Sequence, residues 1–307
     1  MTRPWNLAAA LLLASTLGIM PPANAQTDAP QDAPAALTGT LAKVRSKGTI
    51  AIGYRESSVP FSYLSARREP IGYSIELCRS LVEAIGEAVD RRLEIAWVPV
   101  TAESRVDAVA TGQIDLECGS TTSNLERQQR VAFSPTFFVS GTKLLVKKGS
   151  SIRSFRDLNG RTVAVTAGTT NEKTMRELST RFKLDIGLRV SPDHAESFSK
   201  LRRGEAEAFA TDDVLLYGLV AQAGVKSDYQ VIGDFLSYDP YGVMFRKGDP
   251  TLAKVVNDGF HRLAESGDIE RQYRRWFLQR LPSGTSIDLP MSPQLETILQ
   301  TMAVKAE

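Results

Sequence analysis

Beyond its first two dozen residues the 307-residue chain has no apolar run approaching the roughly 20 residues that a membrane-spanning helix needs. It has two histidines, His194 and His261, and it lacks a His-Glu-x-x-His run, a Gly-x-Ser-x-Gly elbow and a glycine-rich phosphate loop. Those absences remove the commonest signatures of metallohydrolases, serine hydrolases and nucleotide-binding enzymes. Basic blocks are missing too. Lys and Arg together number 37 against 35 Asp and Glu, and a formal charge of +2 gives no reason to expect nucleic acid or an anionic membrane as partner. No cysteine follows the N-terminal apolar run, so lipid attachment is not indicated.

What is present begins with an export signal. Arg3, the apolar run from Leu7 to Met20 and the sequence Ala23-Asn24-Ala25-Gln26 supply the charged, hydrophobic and cleavage regions of a Sec-type signal peptide over residues 1–25. Residues 26–39 are rich in Pro, Ala and Asp without periodicity and read as a disordered leader. The mature chain is therefore expected to be exported, most simply into a bacterial periplasm, and is long enough for two domains with proper cores. In that oxidising compartment Cys78 and Cys118 can form a disulfide. The favoured reading is that each, lying in an apolar stretch, acts as a small buried hydrophobe.

Strand and helix signals then alternate. Residues 49–54 are β-rich and end on Arg55 in a polar turn stopped by Pro60. Ile75, Leu77, Leu81, Val82 and Ile85 recur at helical spacing, and 93–98 reads as a strand, giving a β-α-β unit. Thr101 is a candidate N-cap for a helix running to Thr111, with Arg105 in its first turn, against the helix dipole. Either Arg105 pairs with a surface acid or it has another task. Residues 137–148, broken by Gly141, and 241–245, beside Pro240, are expected to cross between two units. The second unit repeats the grammar of the first, with strands over 161–166 and 186–190 and helices over 171–182 and 194–203. Gly204 to Asp213 mirrors Gly112 to Ser120 in form, so each unit presents a polar strand end to something between them. Asp212 has a second use there, as N-cap of a helix over 214–223. Further helices are expected over 249–266, 268–277 and 292–304.

The stretch from Asp115 to Arg127 moves from an apolar strand through a hydroxyl-rich turn into a helix start. Ser120 and Thr122 offer short donors, the first helical turn offers unpaired N–H groups, and Arg127 offers a planar fork suited to a carboxylate. The alternative is a plain helix N-terminus in which Ser123 or Asn124 caps and Arg127 is solvated.

The segments Arg55 to Ser62 (Arg-Glu-Ser-Ser-Val-Pro-Phe-Ser), Glu117 to Thr122 (Glu-Cys-Gly-Ser-Thr-Thr), Glu126-Arg127-Gln128, Gly168-Thr169-Thr170, Asp193-His194 and Asp212-Asp213 carry a likeness. In this order and at this spacing the mature chain resembles the periplasmic amino-acid-binding proteins of ABC importers, most closely their glutamate/aspartate-binding branch. The resemblance implies an α/β, two-lobe type II periplasmic binding protein fold with a ligand cleft between the lobes and two hinge crossings. It divides the chain into a first lobe over 40–139 and 240–282, a second lobe over 140–239 and a C-terminal extension over 283–307 on the first lobe. It implies that Arg127, Thr122 and Thr170 hold a ligand α-carboxylate, Asp212 and Ser120 the α-ammonium, and Arg55, Arg105 and His194 a side-chain carboxylate. One departure is Ala102, where that branch tends to carry Ser. The implied function is capture of L-glutamate or L-aspartate by cleft closure and delivery to inner-membrane ABC permease subunits, by a monomer without cofactor, metal or nucleic acid. A periplasmic sensor is the alternative, and a dehydratase on the same fold a more distant one.

Counting Arg55, Arg105 and Arg127 against Asp212, the site carries an excess of two positive charges. An acidic amino acid would reduce that excess where its amide would not, and an unpaired buried cation costs several kcal/mol.

Overall fold

A computed structural model describes residues 37–304, together with Met1. The signal peptide expected over 1–25, Met1 apart, and residues 26–36 of the leader expected over 26–39 lie outside the described residues, while Gly39 at the leader's expected end already opens a helix. No helix among the described residues is long and apolar enough to cross a membrane.

Helix α1 (Gly39–Lys47), which sequence periodicity did not mark, leads into strand β1 (Thr49–Tyr54), whose Ile50 and Ile52 point into the core. The polar turn beyond Arg55 is a small antiparallel sheet of β2 (Ser57–Ser58), β3 (Ser62–Leu64) and β4 (Pro70–Ile71). Helix α2 (Tyr73–Ala88) then buries the expected apolar face, including Ile75, Leu77, Leu81 and Ile85, and returns the chain to β5 (Glu94–Pro99), parallel to β1. Helix α3 (Arg105–Ala110), β6 (Leu116–Glu117), the single turn α4 (Leu125–Gln128) and β7 (Val131–Phe133) follow.

The run from Phe137 is two strands, β8 (Phe138–Ser140) and β9 (Thr142–Lys147), separated at Gly141. After them come β10 (Arg161–Thr166), α5 (Thr170–Phe182), β11 (Ile186–Ser191), α6 (His194–Arg203), β12 (Ala208–Asp212), α7 (Asp213–Gln222) and β13 (Tyr229–Ile232). Strand β14 (Asp239–Tyr241) contains Pro240, which sequence reading had set between strands. Strand β14 pairs with β8 in a two-stranded antiparallel ladder and on its other edge meets only an isolated bridge between Tyr241 and Thr122, a setting in which a strand proline is tolerated. The chain ends with β15 (Met244–Arg246), α8 (Pro250–Glu265), α9 (Asp268–Tyr273), a π-helical turn over 274–278 and α10 (Pro293–Ala303).

Two five-stranded sheets result, in the orders β5-β1-β6-β15-β7 and β11-β10-β12-β9-β13. In each, three parallel strands come first and an antiparallel strand lies fourth, β15 in one and β9 in the other. Each of those fourth strands directly follows a strand of the β8–β14 ladder, so the chain passes between the sheets along that ladder. An aromatic cluster packs around it: Phe61 lies 4.8 Å from Phe138 and 5.1 Å from Tyr241, and Tyr273 stacks on Phe277 at 4.4 Å, centroid to centroid. Such pairs are each worth about 0.5–1.5 kcal/mol beyond their buried area.

Cys78 and Cys118 are joined in a disulfide, so the reading of two separate buried thiols is corrected. Both residues are buried as expected; α2 and the end of β6, 40 residues apart in sequence, bring their Cα atoms to 6.3 Å. Only the helix-on-sheet packing decides that approach.

The C-terminal segment touches more than the first sheet's helices. Beyond α10, which buries Leu295, Leu299 and Met302, Thr285 Oγ1 donates to the carbonyl of Ala221 at the end of α7 (2.7 Å), and Lys226 pairs with Asp288 (2.8 Å).

Candidate binding site

The six parallel strands lead into polar residues at or just beyond their carboxyl ends, where ligands bind in sheets of this kind. Arg55 follows β1, the Thr101–Arg105 turn follows β5, and Glu117 to Ser120 ends β6; Thr166 to Thr170 follows β10, Ser191 to His194 follows β11, and Asp212 ends β12.

Arg55 is 2% exposed, its backbone N–H donates to Ser62 Oγ (2.9 Å), and its Nη1 has no hydrogen-bond partner among the described residues. Burial and the neighbouring Arg105 charge push its guanidinium down to about 9. Arg105 is also 2% exposed, which removes the surface-pair alternative. Its Nη1 donates to the Ser120 carbonyl (3.3 Å), while its Nε has no partner among the described residues. Thr101 and Ser104 cap reciprocally: each backbone N–H donates to the other's hydroxyl oxygen at 3.0 Å. This fixes the turn that swings Arg105 inward despite the dipole.

The Asp115–Arg127 stretch keeps the cap of the plain helix start without its solvated arginine. Asn124 Oδ1 caps α4 by accepting from Arg127 N (2.9 Å), yet the Arg127 side chain folds back instead of entering solvent. Its Nη1 donates to the Thr122 carbonyl (2.9 Å) and its Nη2 to that of Gly168 (3.3 Å), beyond β10. Burial and the Arg105 charge hold its guanidinium at about 10. Thr122 Oγ1 donates to Asp239 Oδ1 (2.9 Å) and lies 3.4 Å from Thr170 Oγ1. Thr170 opens α5, which Thr169 caps. Ser120 is buried and its hydroxyl has no partner among the described residues.

His194 opens α6 behind the N-cap Asp193. It is buried, with Nδ1 2.9 Å from Thr166 Oγ1. Burial, with Arg55 and Arg105 beside it, drives its pKa well below the usual imidazole range, so the ring is neutral. Asp212 does not cap α7, against the alternative expected of it; Asp213 Oδ1 accepts from Val214 N instead (2.8 Å). The Asp212 carboxyl accepts from Asn171 Nδ2 (2.8 Å) and from the Tyr241 hydroxyl. Burial and then the Asp239 charge push its pKa up to about 7.

Sequence reasoning missed two acids. Glu117 is fully buried; Thr121 Oγ1 donates to its Oε2 (2.7 Å), and its Oε1 has no partner among the described residues. Asp239 is buried beside Thr122 and Ser237. Glu117 stood inside a motif already singled out, and Asp239 immediately precedes the conspicuous Pro240. The charge count changes with them: three guanidinium groups face three carboxylates once Asp212 is ionised. The excess of two positive charges was an artefact of counting one acid, and a preference for an anion has to come from where the free donors point.

The strand ends of the two sheets meet closely. Gly168, at φ +70°, lies so near Glu103 that a Cβ there would stand 2.6 Å from the Glu103 Cα, which makes glycine obligatory. Lys173 in α5 pairs with Glu126 in α4 at 2.7 Å, an exposed contact of little energetic weight. The result is a set of buried arginines, hydroxyls and one raised carboxyl shared between two sheets that touch.

Known proteins resemble this chain in sequence and in fold. Residues 50–279 match the family described as bacterial extracellular solute-binding proteins, family 3. The chain is 41% identical to the L-glutamate/L-aspartate-binding protein of Pseudomonas aeruginosa, over 88% of this chain and 90% of that one. It is 36% identical to the glutamate/aspartate import solute-binding protein of Escherichia coli, over 97% of each. Among solved structures, an ancestral amino acid-binding protein, a precursor of cyclohexadienyl dehydratase, superposes with a TM-score of 0.69 at 29% identity, over 78% of this chain and 99% of that one. A mutant of ArgBP from T. maritima superposes at 0.71 with 25% identity, over 78% and 100%. These relatives carry binding-protein names, and the fold is of the type II periplasmic binding class. With three quarters of its length covered by the family profile, this chain belongs to the bacterial extracellular solute-binding proteins, family 3.

Proposed function

We propose that the protein is a periplasmic receptor that captures L-glutamate or L-aspartate between two lobes and delivers it to an ABC permease. The lobes are residues 40–139 with 240–282, and 140–239, with the β8–β14 ladder as hinge. One observation carries this reading: Arg55 and Arg105 are buried with donor atoms lacking partners among the described residues, while Asp212, at a strand end of the other sheet, acts through space on Arg105. Buried polar groups are otherwise almost always paired, and a zwitterion with a second carboxylate suits this set.

In this reading Arg127, Thr122 and Thr170 take the α-carboxylate and Asp212 with Ser120 the ammonium. Arg55, Arg105 and the neutral His194 take the side-chain carboxylate. Each charge-assisted contact contributes about 1.5–3 kcal/mol. Arg127 and Asp212 belong to different lobes, so a ligand bridging them favours the closed form.

Calorimetric titration with Glu, Asp, Gln and Asn tests the reading. Tight binding of the two acids is expected, and tighter binding of Gln than Glu would sink it. Export is checked by N-terminal sequencing of the secreted protein, expected to begin at Gln26.

A further inference from the structure

Glu117 is buried in the site and takes no ligand contact in the proposed reading. Its carboxylate lies against the Arg55 stem across Gly119, where a Cβ would stand 2.3 Å from Glu117 Oε1 and 3.0 Å from Arg55 Cγ. It is tied down from the other side, since Oε2 accepts from Thr121 Oγ1 at 2.7 Å. Three buried groups of opposite charge each keep an atom without a partner among the described residues: Glu117 Oε1, Arg55 Nη1 and Arg105 Nε. Of the acids near the site, Glu117 acts through space on Arg55, Arg105 and Arg127 alike.

We propose that Glu117 is a specificity-determining positioning residue, a fixed internal carboxylate that neutralises the Arg55 and Arg105 charges without occupying their donors. Neutralisation lets two guanidinium groups stay buried side by side, since uncompensated buried charge strongly destabilises a fold. Leaving the donors free keeps them for a ligand carboxylate. The same negative charge repels that carboxylate, so Glu117 limits how strongly the site prefers an acid over its amide. Thr121 is the restraint: released from it, Glu117 would swing onto the arginines and compete with the ligand directly.

This inference rests on the proposed glutamate/aspartate reading, and the test separates the two. Dissociation constants for glutamate and glutamine are measured by calorimetry for the wild type, Glu117→Gln and Thr121→Val. In Glu117→Gln the preference for glutamate over glutamine is expected to rise about tenfold or more, because a nearby repulsive charge is gone. In Thr121→Val it is expected to fall, as the freed carboxylate occupies the donors. Opposite shifts in the two variants are a signature that a merely structural role does not produce. Glu117→Gln is also expected to fold when prepared with saturating glutamate, whose carboxylate supplies the missing charge; failure to fold even then overturns the proposal. A wild-type protein without preference for glutamate sinks the functional reading. A wild-type preference that neither variant moves in these directions sinks the role of Glu117 alone.

Discussion

Asn171 Nδ2 donates to Asp212 Oδ1 at 2.8 Å, and Tyr241 donates to the other oxygen, yet burial and the charge of Asp239 still raise this carboxyl to about 7. A carboxyl whose folded pKa exceeds its unfolded value binds more protons folded than unfolded between pH about 4 and 7. The ligand-free protein should therefore lose stability from this group as pH rises through that window. An ammonium seated on Asp212 holds it ionised, so binding below neutrality should release a proton. Calorimetry in buffers of different ionisation enthalpy is expected to find most of one proton released at pH about 6 and little at pH about 8. Asp212→Asn should abolish the release. A binding enthalpy independent of buffer at the lower pH would falsify the ion pair.

Arg127 and Arg105 should divide by ligand. Arg127 bridges Thr122 and Gly168 and serves the head group common to all amino acids. Arg127→Ala is expected to weaken every amino acid by about a hundredfold or more, losing two charge-assisted bonds. Arg105→Gln should weaken Glu and Asp by about 10–100-fold and leave weak Gln binding nearly unchanged. Equal losses for acids and amides in Arg105→Gln would return Arg105 to a structural role.

Much of this was legible because local signals decide local structure. The apolar spacing of α2, the N-cap Asn124, the helix starts near 194, 249 and 292, and the polar residues at the ends of the parallel strands follow from a few neighbouring residues. What the sequence left open depends on long-range approach. Glu117 and Asp239 join one electrostatic cluster only after β6 and the β8–β14 ladder are in place, and the same folding brings Cys78 to Cys118. Asp212 looked like a helix cap because it precedes α7, but Tyr241, 29 residues away, claims its carboxyl.

The disulfide clamps α2 to the strand end that carries Glu117 and Ser120. Replacing Cys78 and Cys118 by Ala is expected to cost about 2–4 kcal/mol in urea unfolding. Saturating glutamate should restore part of the midpoint, since ligand binds the folded state alone. An unchanged midpoint would mean that the bridge adds nothing to the packing around it.

The C-terminal segment is a third tie between the two halves, alongside the two strands of the β8–β14 ladder. Leu289 N donates to the Phe277 carbonyl (3.1 Å) and Tyr273 to that of Leu289 (3.2 Å), while Thr285 and Asp288 hold Ala221 and Lys226 at the far side. In the proposed two-lobe reading, opening of the cleft stretches or releases this strap, so its contacts favour the closed form. One neutral hydrogen bond is worth about 0.5–1.5 kcal/mol. Thr285→Val should accordingly shift the equilibrium toward the open form and weaken ligand binding about 2–10-fold. The effect should fall on acids and amides alike, because no ligand contact changes. Small-angle scattering of the ligand-free variant should give a larger radius of gyration than wild type, converging on the wild-type value when glutamate is added. If the radius is unchanged and the affinity intact, the strap follows the lobes without restraining them.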